Sequence, residues 1–307
     1  MAIGELLTIG AGMHNVTRIP VIIDMSSGRG IELSTLAQSG DADPTFSAVS
    51  GFSPKYSFST HALGLALTTL GLDGTACTSL AKFLVYYTQI DEQALRTAGL
   101  AHRKCAINYG LVVPVSLSLA VGEFAKLNYE VHVGYDGTNA PLIFTASEAL
   151  PAWAAVSQAF TLGKVKINAA IVPGVQSVDV QFGYEVLSRR SNNDVYPTFL
   201  AIMQRNSKIT IETNEPYNLA TLGVVGTSSS TNTAEIYAQK YSSGGSLVAD
   251  ATAEHVSLSA AQWQCTPEGE SVSQNQVLAN RFVLTPIKKA EATAILAFSA
   301  TATIPAS

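Results

Sequence analysis

The sequence predicts a mainly β protein: two tandem β-sandwich or barrel-like domains, residues 1–152 and 153–307, each flanked by a short α-helix. Three observations lead there. The chain repeats itself at a spacing of 153 residues, several segments alternate apolar and polar side chains, and the composition is apolar but poor in charge. Apolar residues make up 47% and charged residues 13% of 307 positions. That is too apolar for a disordered chain and long enough for two cores.

The repeat comes first because it sets the domain count. Residues 20–60 fall on residues 173–213 without a gap and share ten identities. Pro20, Gly30, Glu32 and Asp41 meet Pro173, Gly183, Glu185 and Asp194. Pro44-Thr45-Phe46 meets Pro197-Thr198-Phe199, and Ala48, Lys55 and Thr60 meet Ala201, Lys208 and Thr213. Matches at Pro, Gly, Phe, Lys and Asp separate this from shared low-complexity bias. The register extends to Gly10 with Gly163 and His102 with His255, and a one-residue slip aligns Leu70-Gly71 with Leu222-Gly223.

Strands follow from period-two alternation. It runs through Val178 to Val186, Lys208 to Thr213 and Tyr56 to Ser59, with further strands expected at Phe83–Thr88, Leu127–Val133 and Arg281–Leu284. Polar stretches Thr35 to Asp43 and Ser188 to Asp194 read as long loops. In the first copy Leu63, Leu67 and Leu70 form one helical stripe, with Thr60 a candidate cap and Gly71 the stop. In the second copy Asn214 caps a helix that Gly223 ends, and a linker helix is expected over Ser147 to Phe160. Leu111 to Ala120 is apolar, whereas its counterpart Gln264 to Ser273 is polar. Either the first stretch faces a partner or the local register shifts.

The net charge of −5 argues against a groove that grips nucleic acid. It divides into −4 for the first copy and −1 for the second. No basic-then-apolar leader opens the chain, and the longest apolar run, Leu111 to Val121, is too short for a membrane span. Cys77, Cys105 and Cys265 share no motif spacing and read as reduced thiols of a chain made in the cytosol. His14, His61, His102, His132 and His255 show no metal-ligand spacing, and no nucleophile elbow, phosphate loop or dinucleotide fingerprint is present. No enzyme activity, cofactor or metal is therefore expected. Asp24, Glu32, Asp179, Glu185 and Glu212 fall on expected strands. They form either the solvent face of a sheet or the wall of a channel that repels a polyanion.

The order of a strand, Phe182-Gly183-Tyr184-Glu185, a polar loop, Val195-Tyr196-Pro197, Lys208 to Thr213 and a capped helix, preceded by Pro173-Gly174, resembles the tail tube (major tail) proteins of long-tailed bacteriophages. The resemblance implies a small β-sandwich or barrel-like domain with a helix. Six such domains form a ring around a lumen, and rings stack through loops and arms. Most members carry one domain per chain, so three chains of two domains would supply the six. It further implies homotrimeric rings in a virion tail, made in the host cytoplasm, with tape measure, terminator and distal tail proteins as partners. DNA passes without specific binding, and no membrane is involved. Asp24, Glu32, Asp179, Glu185 and Glu212 become lumen candidates; Asp41, Asp43, Arg189, Arg190 and Asp194 become ring-stacking candidates. The competing readings are a coat or decoration protein that forms pseudo-hexameric trimers, and a tandem carbohydrate-binding β-protein. Trp153 and Trp263, the only tryptophans, are not equivalent in the repeat, which weakens the latter.

Overall fold

A computed structural model describes residues 6–14, 17–19, 22–40, 42–90, 102–149, 159–215, 228–229, 233–271, 279–288, 290–291 and 293–306. The protein is mainly β. The first half runs β1 Leu6–His14, β2 Thr17–Ile19, β3 Ile22–Gly28, β4 Ile31–Ala37, β5 Pro44–Phe52, β6 Lys55–Thr60, α1 Leu63–Leu70, β7 Thr75–Cys77, β8 Phe83–Ile90, β9 His102–Ile107, β10 Gly110–Ala120, β11 Lys126–Val133 and β12 Leu142–Glu148. The second runs β13 Ala159–Ile167, β14 Ala170–Ile171, β15 Val175–Gln181, β16 Tyr184–Arg189, β17 Phe199–Arg205, β18 Lys208–Thr213, β19 Ser228–Ser229, β20 Ala234–Tyr241, β21 His255–Ala260, β22 Trp263–Ser271, β23 Ala279–Pro286 and β24 Ala297–Ala302.

Both halves use one wiring. An outer sheet has the order β12-β9-β8-β1-β2 in the first half and β24-β21-β20-β13-β14 in the second. The facing strands run β3-β6-β11-β10 with β7 on β10, and β15-β18-β23-β22 with β19 on β22. Irregularities recur at the same places. The β10–β11 ladder slips between Pro114 and Ser116, and the β22–β23 ladder slips between Pro267 and Gly269. The β3–β6 ladder slips between Ile22 and Asp24, and β15–β18 between Val175 and Ser177. Each of these pairs is 153 residues apart. Bulges fix register and local twist, so their recurrence is a more demanding match than strand count.

The core lies between the two sheets of each half. Alternation puts Tyr56, Phe58, Leu127, Tyr129 and Val131 inward, where Phe58 stacks on Phe83 of the outer sheet at 5.2 Å and on Tyr129 at 5.4 Å. Ile209, Ile211, Phe282 and Leu284 fill the same role beneath Ile236, Val256 and Leu258. Helix α1 buries Leu63, Ala66, Leu67 and Leu70, and Gly71, at φ 64°, ends it. Its cap is Ala62, not Thr60: Thr60 closes β6, and its hydroxyl accepts the Ala62 N–H at 3.0 Å.

Several expectations need revision. The strand expected through Val178 to Val186 breaks at Phe182-Gly183, because Gly183 takes a left-handed φ of 63° and turns the chain out of the sheet. Gly30 does the same at φ 54°. The segments that leave are hairpins, not strands joined by long loops. Thr35 to Ala37 belongs to β4, and Ser188 and Arg189 belong to β16. Among the described residues only the tips, 38–40, 42–43 and 190–198, are irregular. Ser147, Glu148, Ala159 and Phe160, the ends of the expected linker helix, are strand residues; 150–158 lie outside the described residues. The helix expected after Asn214 also lies outside them from residue 216 onward.

Candidate functional site: a polar sheet face and an internal seam

The two inner sheets are one. β10 of the first half pairs antiparallel with β15 of the second, with Ser116 opposite Gln181, Leu117 opposite Val180 and Ser118 opposite Asp179. A ten-stranded sheet results, spanning both halves. Its inward face is the core just described. Its other face carries Asp24, Ser57, Ser59, Lys126, Asn128, Glu130, Ser116, Ser118, Asp179, Thr210, Glu212 and Arg281 in register, interrupted by the apolar Leu111 and Val113 opposite His132 and Glu130 and by Val283 opposite Thr210.

Three of the five lumen candidates lie here. Asp24 accepts the Ser59 hydroxyl at 2.6 Å and pairs with Lys126 at 3.2 Å. The hydroxyl, and Lys126 beside it, hold its carboxyl below the usual carboxylate range. Asp179 accepts the Ser118 hydroxyl across the seam at 2.6 Å. Glu212 accepts from Ser177 at 3.5 Å, the positions of Ser59 and Asp24 with donor and acceptor exchanged. Lys55–Glu130 at 2.8 Å and Arg281–Glu268 at 3.0 Å neutralise further charge. Burial lowers the His132 pKa, which favours the neutral ring. The face is thus hydroxyl- and amide-rich with paired charges, not an acidic wall. Glu32 and Glu185 are not on it. They sit on the hairpins β4–β5 and β16–β17, because the chain has already turned out at Gly30 and Gly183.

The hairpins differ in their surroundings. β16–β17 lies across the first half. Tyr196 stacks on Phe52 at 5.3 Å, Phe52 N–H donates to Val195 C=O at 2.7 Å, and Tyr135 N–H donates to Pro197 C=O at 2.7 Å. Ile202 converges with Leu111 and Val113 around Gly74. Arg205 pairs with Asp73 and lies 4.9 Å over the Tyr184 ring. Arg190, a stacking candidate, is instead a clamp to the first half: it pairs with Glu32 and donates to the Ser53 hydroxyl at 3.2 Å. Arg189 ends β16 and Asp194 lies at the same hairpin's tip, and Asp43 is exposed at the tip of β4–β5. Asp41 lies outside the described residues. The partner that the apolar stretch Leu111 to Ala120 meets is therefore the chain's own second half. Sequence reasoning missed the seam; the contrast with Gln264 to Ser273 was its one signal.

Other chemistry is sparse. Among the described residues no three His, Cys, Asp or Glu side chains gather as a metal site, and no helix is long and apolar enough to cross a membrane. Burial pushes the Cys77 thiol up to about 12 and Cys265 to about 11, which makes both unreactive near neutrality. Trp263 is buried in the core and offers no sugar platform; Trp153 lies outside the described residues. The sequence matches no protein-family model and no curated protein.

Proposed function

We propose that the chain is an internally duplicated tail tube protein of a long-tailed bacteriophage, and that three copies close into a pseudo-hexameric ring whose stacked repeats conduct DNA. The observation that carries this reading is the seam. One half adds its inner sheet to the other edge to edge, and β3 at one end of the joined sheet and β22 at the other, covered by the short β19 only at Trp263 and Gln264, are the equivalents of the strands that join. A unit that pairs with its own repeat in this way builds a closed ring when the rotation per step divides a circle. Closure also removes the sheet edges that would otherwise invite uncontrolled pairing.

The polar face suits a bore. Hydroxyls, amides and already paired lysines and arginines offer few free cations to phosphate, so a passing polyanion meets little that retains it. The action is mechanical, with tape measure, terminator and distal tail proteins as companions along the tail. Negative-stain microscopy of the purified chain at high concentration tests the reading. Hollow tubes, or rings with threefold symmetry and a central hole, are expected. Closed shells would favour a coat or decoration protein, and a monodisperse monomer throughout would overturn the ring.

A further inference from the structure

The internal seam has counterparts that stand open. Among the described residues, the outer edge of β3 is open, and Gly269 to Ser271 of β22 pair with β23 on one side and with nothing on the other, although the equivalents of these edges, β15 and Ser116 to Ser118, pair with each other. The hairpin β4–β5 is likewise open: Leu33, Leu36, Phe46 and Val49 are exposed, whereas Ile202, at the place of Val49, is half-buried against the first half. The surface that would receive β4–β5 is open too. Val113 is 2% exposed, yet Thr266 at the equivalent place is exposed.

We propose that a second copy of this chain occupies this surface, in the register of the internal seam: its β3 adds to β22 with Gly28 opposite Gly269, Ser27 opposite Glu270 and Ser26 opposite Ser271, and its hairpin β4–β5 brings Asp43 against Arg205. The seat rests on the ring reading above and gives it a register. Its second support is charge. At the internal seam Phe52 stacks on Tyr196. Shifted by one repeat, Phe52 becomes Arg205 and Tyr196 becomes Asp43. Both members change together, from two aromatic rings to two opposite charges. Lys288, at the place of Tyr135, adds a second cation beside the seat. The ring would then alternate an aromatic seam within each chain and an ionic seam between chains. A misphased contact would set Asp43 on Phe52, leaving that carboxylate without a cation, and Tyr196 on Arg205, which would keep only its internal pair with Asp73. The two halves are thereby kept in alternation.

Paired cysteines test the register. Ser118 and Asp179 touch side chain to side chain at the internal seam, so Ser26→Cys with Ser271→Cys in the full chain should oxidise to a covalent ladder that stops at the trimer. Each single variant should stay unlinked, since the native thiols are buried. Asp43→Arg in that background should cut the linked yield by at least about fivefold at low salt. Asp43→Tyr with Arg205→Phe, which copies the internal pair, should restore linkage and make it insensitive to salt. Trimers by mass photometry without the cysteine link would overturn the register but leave the ring. Linkage unaffected by Asp43→Arg would overturn the hairpin seat. Monomers alone at every concentration would overturn ring and seat together.

Discussion

The hairpins β4–β5 and β16–β17 are built alike, yet the folded chain treats them differently. Each leaves its sheet at a left-handed glycine and returns at the residue whose amide donates to that glycine's carbonyl: Ser53 N–H to Gly30 at 2.8 Å, Asn206 N–H to Gly183 at 2.9 Å. β16–β17 is then held by aromatic stacking, a clamp from Arg190 and an apolar contact on Val113, while β4–β5 is exposed along nearly its whole length. Local sequence thus sets how a hairpin is made. Whether it is stable depends on whether a surface of matching chemistry lies within reach, because an isolated two-stranded hairpin is marginal in water.

The largest effect should come from the hinge glycines. A Cβ at either one would run into the backbone carbonyl of Ser53 or Asn206, in a conformation that L side chains rarely adopt. Gly183→Ala should cost about 1–3 kcal/mol in denaturant melts, and Gly30→Ala less, since only the former also disturbs a seated hairpin. Equal losses would break the comparison. Next, Ile202→Ala should cost about 1–2 kcal/mol by removing half-buried contacts, whereas Val49→Ala should stay within about 0.5 kcal/mol in the isolated chain. A gain in Val49 sensitivity as concentration rises would sharpen the case for a second copy covering it.

A smaller effect should follow pH. The Arg190 guanidinium, then the Ser53 hydroxyl, holds the Glu32 carboxyl below its ordinary value. A depressed carboxylate contributes above its ordinary range, and that contribution is lost as pH falls through the folded value. Hydrogen exchange around residues 190–198 should therefore quicken only once the pH falls below the ordinary carboxylate range, and Glu32→Gln should remove the dependence. Smallest of all, Glu185→Gln should change neither exchange nor stability, because Ala37 stands where a second arginine clamp would need to be. A pH response of equal size in that variant would show that Glu185 has a partner of its own.

Much of the fold was legible because strands buried on one face carry a period of two. Lys208 to Thr213, Leu127 to Val133 and Arg281 to Leu284 are all strands, and Leu63, Leu67 and Leu70 do line a buried helical stripe. The glycine pair and the Pro-Thr-Phe pair mark equivalent places in the two hairpins. Asp24, Asp179 and Glu212 were legible as one open face for the same reason, since alternation assigns each strand residue to one side of a sheet. Glu32 and Glu185 stand apart from that face, on the hairpins, because the backbone leaves the sheet at Gly30 and Gly183, a turn that alternation does not reveal.

By itself, the sequence determined the twofold recurrence, the strands, and which residues shun water, since these depend on neighbours a few positions away. The joining of the inner sheets, the clamp between Arg190 and Glu32, and the covering of Val113 were decided only in three dimensions. Residues more than a hundred positions apart meet there, and burial written into a strand says that something covers it without saying what.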